Sequence, residues 1–176
     1  MRGTEQEAAW VVEAQCGDRD ALEQLLRSVQ PPLRRYILRL AGPTAADDVL
    51  QNVLIAIARK LTWLAEPLLF RAWAYRIASR AAFDHLRKEK RRGQHETSDE
   101  LLEALPAPDA RPSDEQLREL LDSDVLSPSS RAVLTLHFQE EMPLAEVAAV
   151  LEIPLGTVKS RLAYGLAALR RYVANR

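Results

Sequence analysis

From Met142 to Tyr172 the chain reads MPLAEVAAVLEIPLGTVKSRLAYGLAALRRY, and this stretch decides its fold. Leu144, Val147, Ala148 and Leu151 recur at helical spacing. Glu152-Ile153-Pro154 interrupts the run, because proline has no N–H to donate and is tolerated only at a turn or in a first helical turn. A second run follows: Leu155, Val158, Leu162, Leu166, Leu169 and Val173. A short helix, a tight turn and a longer helix make a helix-turn-helix, whose second helix enters a DNA major groove. At about 100° per residue the apolar set of that helix forms one stripe. Thr157, Ser160, Arg161, Tyr164 and Arg171 lie on the opposite side, with Lys159 on the flank. From Ile153 onward there are five basic residues and no acidic one. The plain reading is a solvated face. Free N–H groups at a helix start, followed by Lys and Arg, favour a phosphate-rich partner instead.

The formal net charge of −1 conceals a segregation by sign. Residues 71–92 carry eight basic and two acidic side chains, and residues 93–125 carry two basic and ten acidic. Such blocks say more about partners than the total does. At 176 residues, 47% of them hydrophobic, one or two small domains can form cores. No apolar run approaches the roughly 20 residues of a membrane span. The N-terminus lacks a basic-then-apolar secretory pattern. Cys16 is the single cysteine, so no internal disulfide forms. The expectation is a cytoplasmic protein.

Gly is scarce, and Ala, Leu, Arg and Glu dominate, which favours helix. The expected fold is all-α, with helices near Glu5–Cys16, Arg19–Ser28, Pro32–Leu40, Thr44–Lys60, Phe70–Arg92, Asp114–Ser123, Ser127–Gln139, Leu144–Leu151 and Leu155–Asn175. Thr44 and Asp47 have the spacing of a capping box. Gly93 to about Pro112, with three prolines and many polar residues, reads as a flexible linker. The expected layout is an N-terminal helical domain (1–92), an acidic linker (93–125) and a C-terminal helix-turn-helix domain (126–176).

A second constellation lies in FRAWAYRIASRAAFDHLRKEKRR, residues 70–92. Phe70, Trp73, Ala74, Ile77 and Ala81 share one side of a helix, and Ala82 and Leu86 extend the apolar surface. Phe70 and Trp73 read as core, since aromatics at helical spacing usually pack. Arg76, Arg80, Phe83, Arg87 and Lys90 form an adjoining stripe, ending in the cluster Arg87, Lys88, Lys90, Arg91 and Arg92. Cations that hold phosphates and a ring that stacks on a base suit a partly opened nucleic acid.

In that order, with an acidic segment between, FRAWAYRIASRAAFDHLRKEKRR and LSPSSRAVLTLHFQEEMPLAEVAAVLEIPLGTVKSRL (126–162) resemble two-domain bacterial sigma factors of the extracytoplasmic-function (ECF) type, in the sigma-70 superfamily. AADDVLQNVLIAIARKL (45–61) is similar to that family's polymerase-docking helix. The resemblance implies a chain that binds core RNA polymerase through the clamp helices of the largest subunit and the flap, and is monomeric when free. It assigns Asp47, Asp48, Gln51 and Asn52 to core binding. Arg76, Arg80, Phe83, Arg87, Lys88, Lys90 and Arg91 fall to the minus-10 element, and Arg131, Thr157, Lys159, Ser160, Arg161 and Tyr164 to the minus-35 duplex. Flipping a base costs only a few kcal/mol, so binding free energy can drive local melting. The loop Thr62–Leu69 corresponds to the family's base-capturing loop, here more apolar and less basic. Ala45 and Asn52 stand where carboxylates are common, Arg80 where Asn is, and Tyr164 and Leu166 where Arg is. An anti-sigma factor is an expected partner.

An enzyme is a poor reading. His85, His95 and His137 show no metal-ligand spacing, and His137 with Glu141 reads as a helix pair. Cys16 has no nearby His and reads as a buried or idle thiol, and no Gly-rich phosphate loop is present. Neither a cofactor nor a metal is expected. The competing readings are an autonomous helix-turn-helix regulator, often a dimer on a palindrome, and a polymerase-binding inhibitor with a sigma-like fold.

Overall fold

Asp18 opens a long N-terminal helix by accepting hydrogen bonds from the N–H groups of Asp20 (2.8 Å) and Ala21 (3.0 Å), a side-chain cap. The computed structural model describes residues 5–93, 114–122 and 125–174. The chain divides into two compact units, Met1–Glu89 and Lys90–Arg176. All regular elements among the described residues are helical. In the first unit these are α1 (Glu5–Gln15), α2 (Arg19–Ala41), α3 (Pro43–Lys60) and all but the last two residues of α4 (Phe70–Arg91). Two 3₁₀ turns, Leu61–Trp63 and Pro67–Leu69, join α3 to α4.

Two expected helices, Arg19–Ser28 and Pro32–Leu40, are one. α2 runs straight through Pro31 and Pro32. Interior prolines cost helix hydrogen bonds, but Leu25, Val29, Leu33, Tyr36, Ile37 and Leu40 form an unbroken buried stripe across them. Burial at about 1.5–3 kcal/mol per large apolar side chain outweighs the lost bonds. The capping box at Thr44 and Asp47 does not form. α3 starts one residue earlier, with Gly42 at φ 79° as its cap residue and Pro43 in the first turn, and Asp47 accepts from Arg34 instead. The buried face of α4 is Phe70, Ala74, Tyr75, Ala78, Ser79 and Ala82, whereas Trp73, Ile77 and Ala81 are only half-buried. The rotation follows from a core contact with α2. Tyr36 and Tyr75 meet edge to face at 5.4 Å, and Tyr36 and Ser79 share a buried hydroxyl hydrogen bond of 2.8 Å.

A buried ion pair ties α1 to α2 and α4. Glu7, 2% exposed, accepts from Arg71 Nε (3.0 and 2.9 Å) and Nη2 (2.8 Å), and from the Ser28 hydroxyl (3.1 Å). Cys16, expected to be buried or idle, is exposed just beyond α1.

The second unit holds α5 (Asp114–Asp122), α6 (Pro128–Leu134), α7 (Leu144–Leu151) and α8 (Leu155–Ala174). Most of the expected linker lies outside the described residues. Its last part does not act as linker: Leu117 and Leu121 of α5 join Leu126, Leu134, Leu166 and Ala168 in one core. The helix expected over Ser127–Gln139 ends its α-helical part at Leu134 and continues as one wide turn, Thr135–Gln139, closed by Glu140 N–H to the Thr135 carbonyl (3.2 Å). Ser127 caps α6 through the Ser130 N–H (3.2 Å). From within the wide turn, His137 Nδ1–H donates to the Met142 carbonyl (2.8 Å). That bond closes the segment ahead of α7, and Glu141 there is exposed with φ 54°.

The turn between α7 and α8 uses a non-glycine left-handed residue. Glu152 has φ 56° and ψ 42°, and Ile153 N–H reaches back to the Ala148 carbonyl (3.1 Å). This is the helix-ending arrangement usually supplied by Gly. Val158 and Leu166 of α8 are buried as expected, joined by Ala163, Gly165 and Ala168. Leu155 departs from the stripe at 41% exposure, because the first residue of the helix has no preceding turn to cover it. The side chains of Leu169 and Val173 lie outside the described residues. A Cβ on Gly165 would stand 2.5 Å from Leu134 Cδ1, so α8 approaches α6 more closely than any side chain allows.

Candidate nucleic-acid interface

α8 carries its polar side chains on the face that the core leaves uncovered. Lys159 is exposed, and Thr157, Ser160, Arg161 and Tyr164 are half-buried along the same helix. The Ser160 hydroxyl donates to the Gly156 carbonyl (3.0 Å), which fixes its rotamer and leaves its oxygen able to accept. The first turn of α8 begins at Leu155 with no acidic residue in it. Its amides and Lys159 present positive potential at the helix start. Arg131 on α6 is half-buried and donates from Nη2 to the Leu126 carbonyl (3.3 Å). It therefore also braces the segment ahead of its own helix.

On α4, Arg80, Arg87, Lys88, Lys90 and Arg91 are exposed, and Arg76 and Phe83 are half-buried. The stripe is continuous along a helix whose other side is core. Arg87 is additionally paired with Asp84 one turn earlier. Arg71 belongs to the same basic run in the sequence but is spent on Glu7 and is 20% exposed.

On α3, Asp47, Asp48, Gln51 and Asn52 are all exposed and share one face. Two of the four are engaged within the chain. Arg34 Nε donates to Asp47 (2.9 Å), and Asn52 Nδ2 donates to the Asp48 carbonyl (2.9 Å). The hydrogen bond to Asp47, and then its charge, hold the Arg34 guanidinium pKa above its ordinary value. Ile55, 44% exposed, continues this face one turn on. Sequence reasoning did not single it out, because nothing in a helical pattern tells an outward Ile from an inward one.

Trp63 was also passed over. It is 77% exposed in the turn between α3 and α4, inside the loop Thr62–Leu69 that the resemblance names only as a whole. Among the described residues no group of three or more His, Cys, Asp or Glu side chains could hold a metal ion. None of the described helices is long and apolar enough to cross a membrane.

Two surfaces built of cations on helices, in separate units, suit a long polyanion better than a small-molecule substrate. Comparison with known proteins agrees with that geometry. The family model for sigma-70 region 2 matches residues 25–92, and that for sigma-70 region 4 matches residues 124–171. The RNA polymerase sigma-E factor of Streptomyces avermitilis is 31% identical over 88% of this chain and 86% of its own length. The chain is an ECF sigma factor of the sigma-70 family.

The ECF sigma factor SigE of Mycolicibacterium smegmatis is also 31% identical, over 90% of this chain, and the match spans 65% of that protein. A solved structure, the sigma factor RpoE in complex with the anti-sigma factor NepR from Bartonella quintana, is similar in fold. Its TM-score is 0.64 at 23% identity, covering 86% of this chain and 96% of that one. Sigma factors are non-enzymatic proteins that direct transcription initiation, so α3, α4 and α8 are the surfaces to consider in this one. Region 2 covers α3 and α4, and region 4 covers α6 to α8 as far as residue 171.

Proposed function

We propose that this sigma factor binds core RNA polymerase through the α3 face of Asp47, Asp48, Gln51 and Asn52 and directs it to promoters read at two sites. The α4 stripe of Arg76, Arg80, Phe83, Arg87, Lys88, Lys90 and Arg91 holds the minus-10 region as it opens. The α8 face of Thr157, Lys159, Ser160, Arg161 and Tyr164, with Arg131 behind it, holds the minus-35 duplex. The observation that carries this reading is the pair of basic helical surfaces in separate compact units, each backed by its own core. Phosphate contacts from Lys and Arg supply affinity, and hydrogen-bonding side chains at base edges supply sequence preference. Arg80 favours a guanine edge or a phosphate. The acidic stretch 93–113 ahead of α5 forms the connection, and its negative charge suits a channel that otherwise receives RNA. The chain works in the cytoplasm as a monomer, and an anti-sigma factor holds it inactive, as a complex of that kind exists for the Bartonella relative.

Footprinting tests the reading. Core polymerase plus this protein should protect two separated, non-palindromic patches of promoter DNA, and the protein alone should protect neither strongly. Protection of a palindrome by the protein alone would identify an autonomous regulator instead. Core binding without any DNA protection would identify a polymerase inhibitor.

A further inference from the structure

α1 is a weak helix by itself. Its 11 residues fall short of the roughly 12–15 that an isolated helix needs in water. Only Glu7 and Val11 among them are buried, so apolar packing does little to keep it in place. Polar bonds fasten it at two points. At one, Glu7 accepts from Arg71, the second residue of α4, and from the Ser28 hydroxyl of α2. At the other, the Gln15 side-chain amide donates to the Leu61 carbonyl (2.8 Å) and to the Leu64 carbonyl (2.9 Å).

These two anchors straddle one stretch of chain. Glu7 and Gln15 stand roughly 12 Å apart along the helix axis. Between their partners run residues 61–71, which hold both 3₁₀ turns and connect α3 to α4. Leu61 caps the C-terminal end of α3, where carbonyls have no partner further along the helix. Leu64 N–H reaches the Leu61 carbonyl (3.0 Å) and closes the turn. Gln15 binds the oxygens at the start and at the close of that turn. A primary amide suits the position, because it has two N–H donors and no charge. Leu61 and Leu64 are buried at 2% and 8% exposure, so the turn cannot swing outward without uncovering them. One side chain therefore sets the path by which the chain leaves α3 for α4. α1 carries none of the proposed contact residues, and it lies N-terminal to the region 2 match at residues 25–92.

We propose that α1 is a splint for the α3–α4 connection, and that Gln15 is a positioning residue for promoter opening, acting through the Leu61 and Leu64 carbonyls without touching DNA. This rests on the reading of the connection and α4 as the minus-10 binder, and it adds the support that holds them in shape. The core-binding face of α3 and the whole second unit lie outside its reach.

The test uses the full chain bound to core polymerase and a promoter selected by the wild-type holoenzyme from a randomised library. Gln15→Leu keeps the bulk and removes the donors; Gln15→Asn keeps an amide one methylene short of the two carbonyls. Permanganate reactivity of unpaired thymines reads opening. Both variants should lower opening roughly 5- to 30-fold, the net worth of one to two hydrogen bonds. Affinity for core polymerase and for a duplex holding only the upstream element should not change. Repeating the selection with Gln15→Leu should alter the bases preferred in the opened element and leave the upstream element as it was. A merely destabilised protein would lower the active fraction, scaling every readout together and leaving both preferences intact. Core-binding stoichiometry reports whether each variant is folded, and Gln15→Asn decides alone if Gln15→Leu is not. Unchanged opening and unchanged preference would overturn the assignment. So would a fall in core and upstream affinity by the same factor as opening, or loss of folding in both variants, since either would make Gln15 a folding residue. A wild-type holoenzyme that opens no promoter would overturn the minus-10 reading itself.

Discussion

Replacing Arg71 with Met removes three N–H···O contacts from a carboxylate that is 2% exposed. Glu7 keeps the Ser28 hydroxyl at 3.1 Å but loses the guanidinium that neutralises it, which is costly for a buried anion. Breaking a buried pair from one side costs about 3–5 kcal/mol, against about 0–1 for a pair in water. The 20% exposure of Arg71 places this one near the lower end, about 3 kcal/mol. That is a large share of the 5–15 kcal/mol typical of a whole domain. For a unit of this size it corresponds to a fall in Tm of roughly 12–24 °C. Glu7→Met combined with Arg71→Met should recover most of the loss, because the uncompensated charge is gone. The sequence supplies a selective probe: Trp10, Trp63 and Trp73 are the three tryptophans, and all lie in the unit Met1–Glu89. Urea unfolding followed by tryptophan fluorescence therefore reports that unit without separating the two. A loss below about 1 kcal/mol for Arg71→Met, or a double variant as unstable as the single one, would refute the reasoning.

Gly165→Ala gains about 1 kcal/mol of helix propensity, but its Cβ would sit 2.5 Å from Leu134 Cδ1, on a fully buried side chain. Overpacking at about 1–3 kcal/mol should win, so hydrogen exchange in α6 and α8 should speed up; slower exchange would show that Leu134 swings aside. Lys159→Ala should weaken holoenzyme binding to promoter duplexes of any sequence and lower the salt slope by about one. An unchanged slope would remove Lys159 from the phosphate contacts. Arg34→Ala should leave stability within about 1 kcal/mol, because both partners of the Arg34–Asp47 pair are exposed. By freeing the Asp47 carboxylate it should also tighten core polymerase binding up to about fivefold; weaker binding in a competition assay would make Arg34 itself a contact.

The helix-turn-helix and the basic stripe of α4 were legible because their information is local. Spacing places Val158, Leu162 and Leu166 on one side of α8, and Pro154 with the left-handed Glu152 marks the turn. What depends on distant partners was not legible. Proline rules split α2, and only the stripe from Leu25 to Leu40 packing on other helices explains why it stays whole. The buried face of α4 was misjudged because Tyr36, more than thirty residues away, draws Tyr75 and Ser79 inward. Arg71 and Asp47 show the same limit for charges. A composition count treats both as available, yet one neutralises Glu7 in the core and the other is held by Arg34. Exposed Trp63 and Ile55 were not singled out, since hydrophobicity alone does not say which way a side chain turns.

The decisive measurement is transcription in vitro with bacterial core RNA polymerase on a library of randomised promoters, with and without this protein. The sigma factor described here should produce discrete start sites that depend on its addition and share two spaced sequence elements upstream. Those start sites should weaken with Asp47→Ala/Asp48→Ala, through loss of core binding, and with Arg161→Ala, through loss of the upstream element. Transcripts that are the same without the protein, or that appear with no shared upstream element, would contradict it.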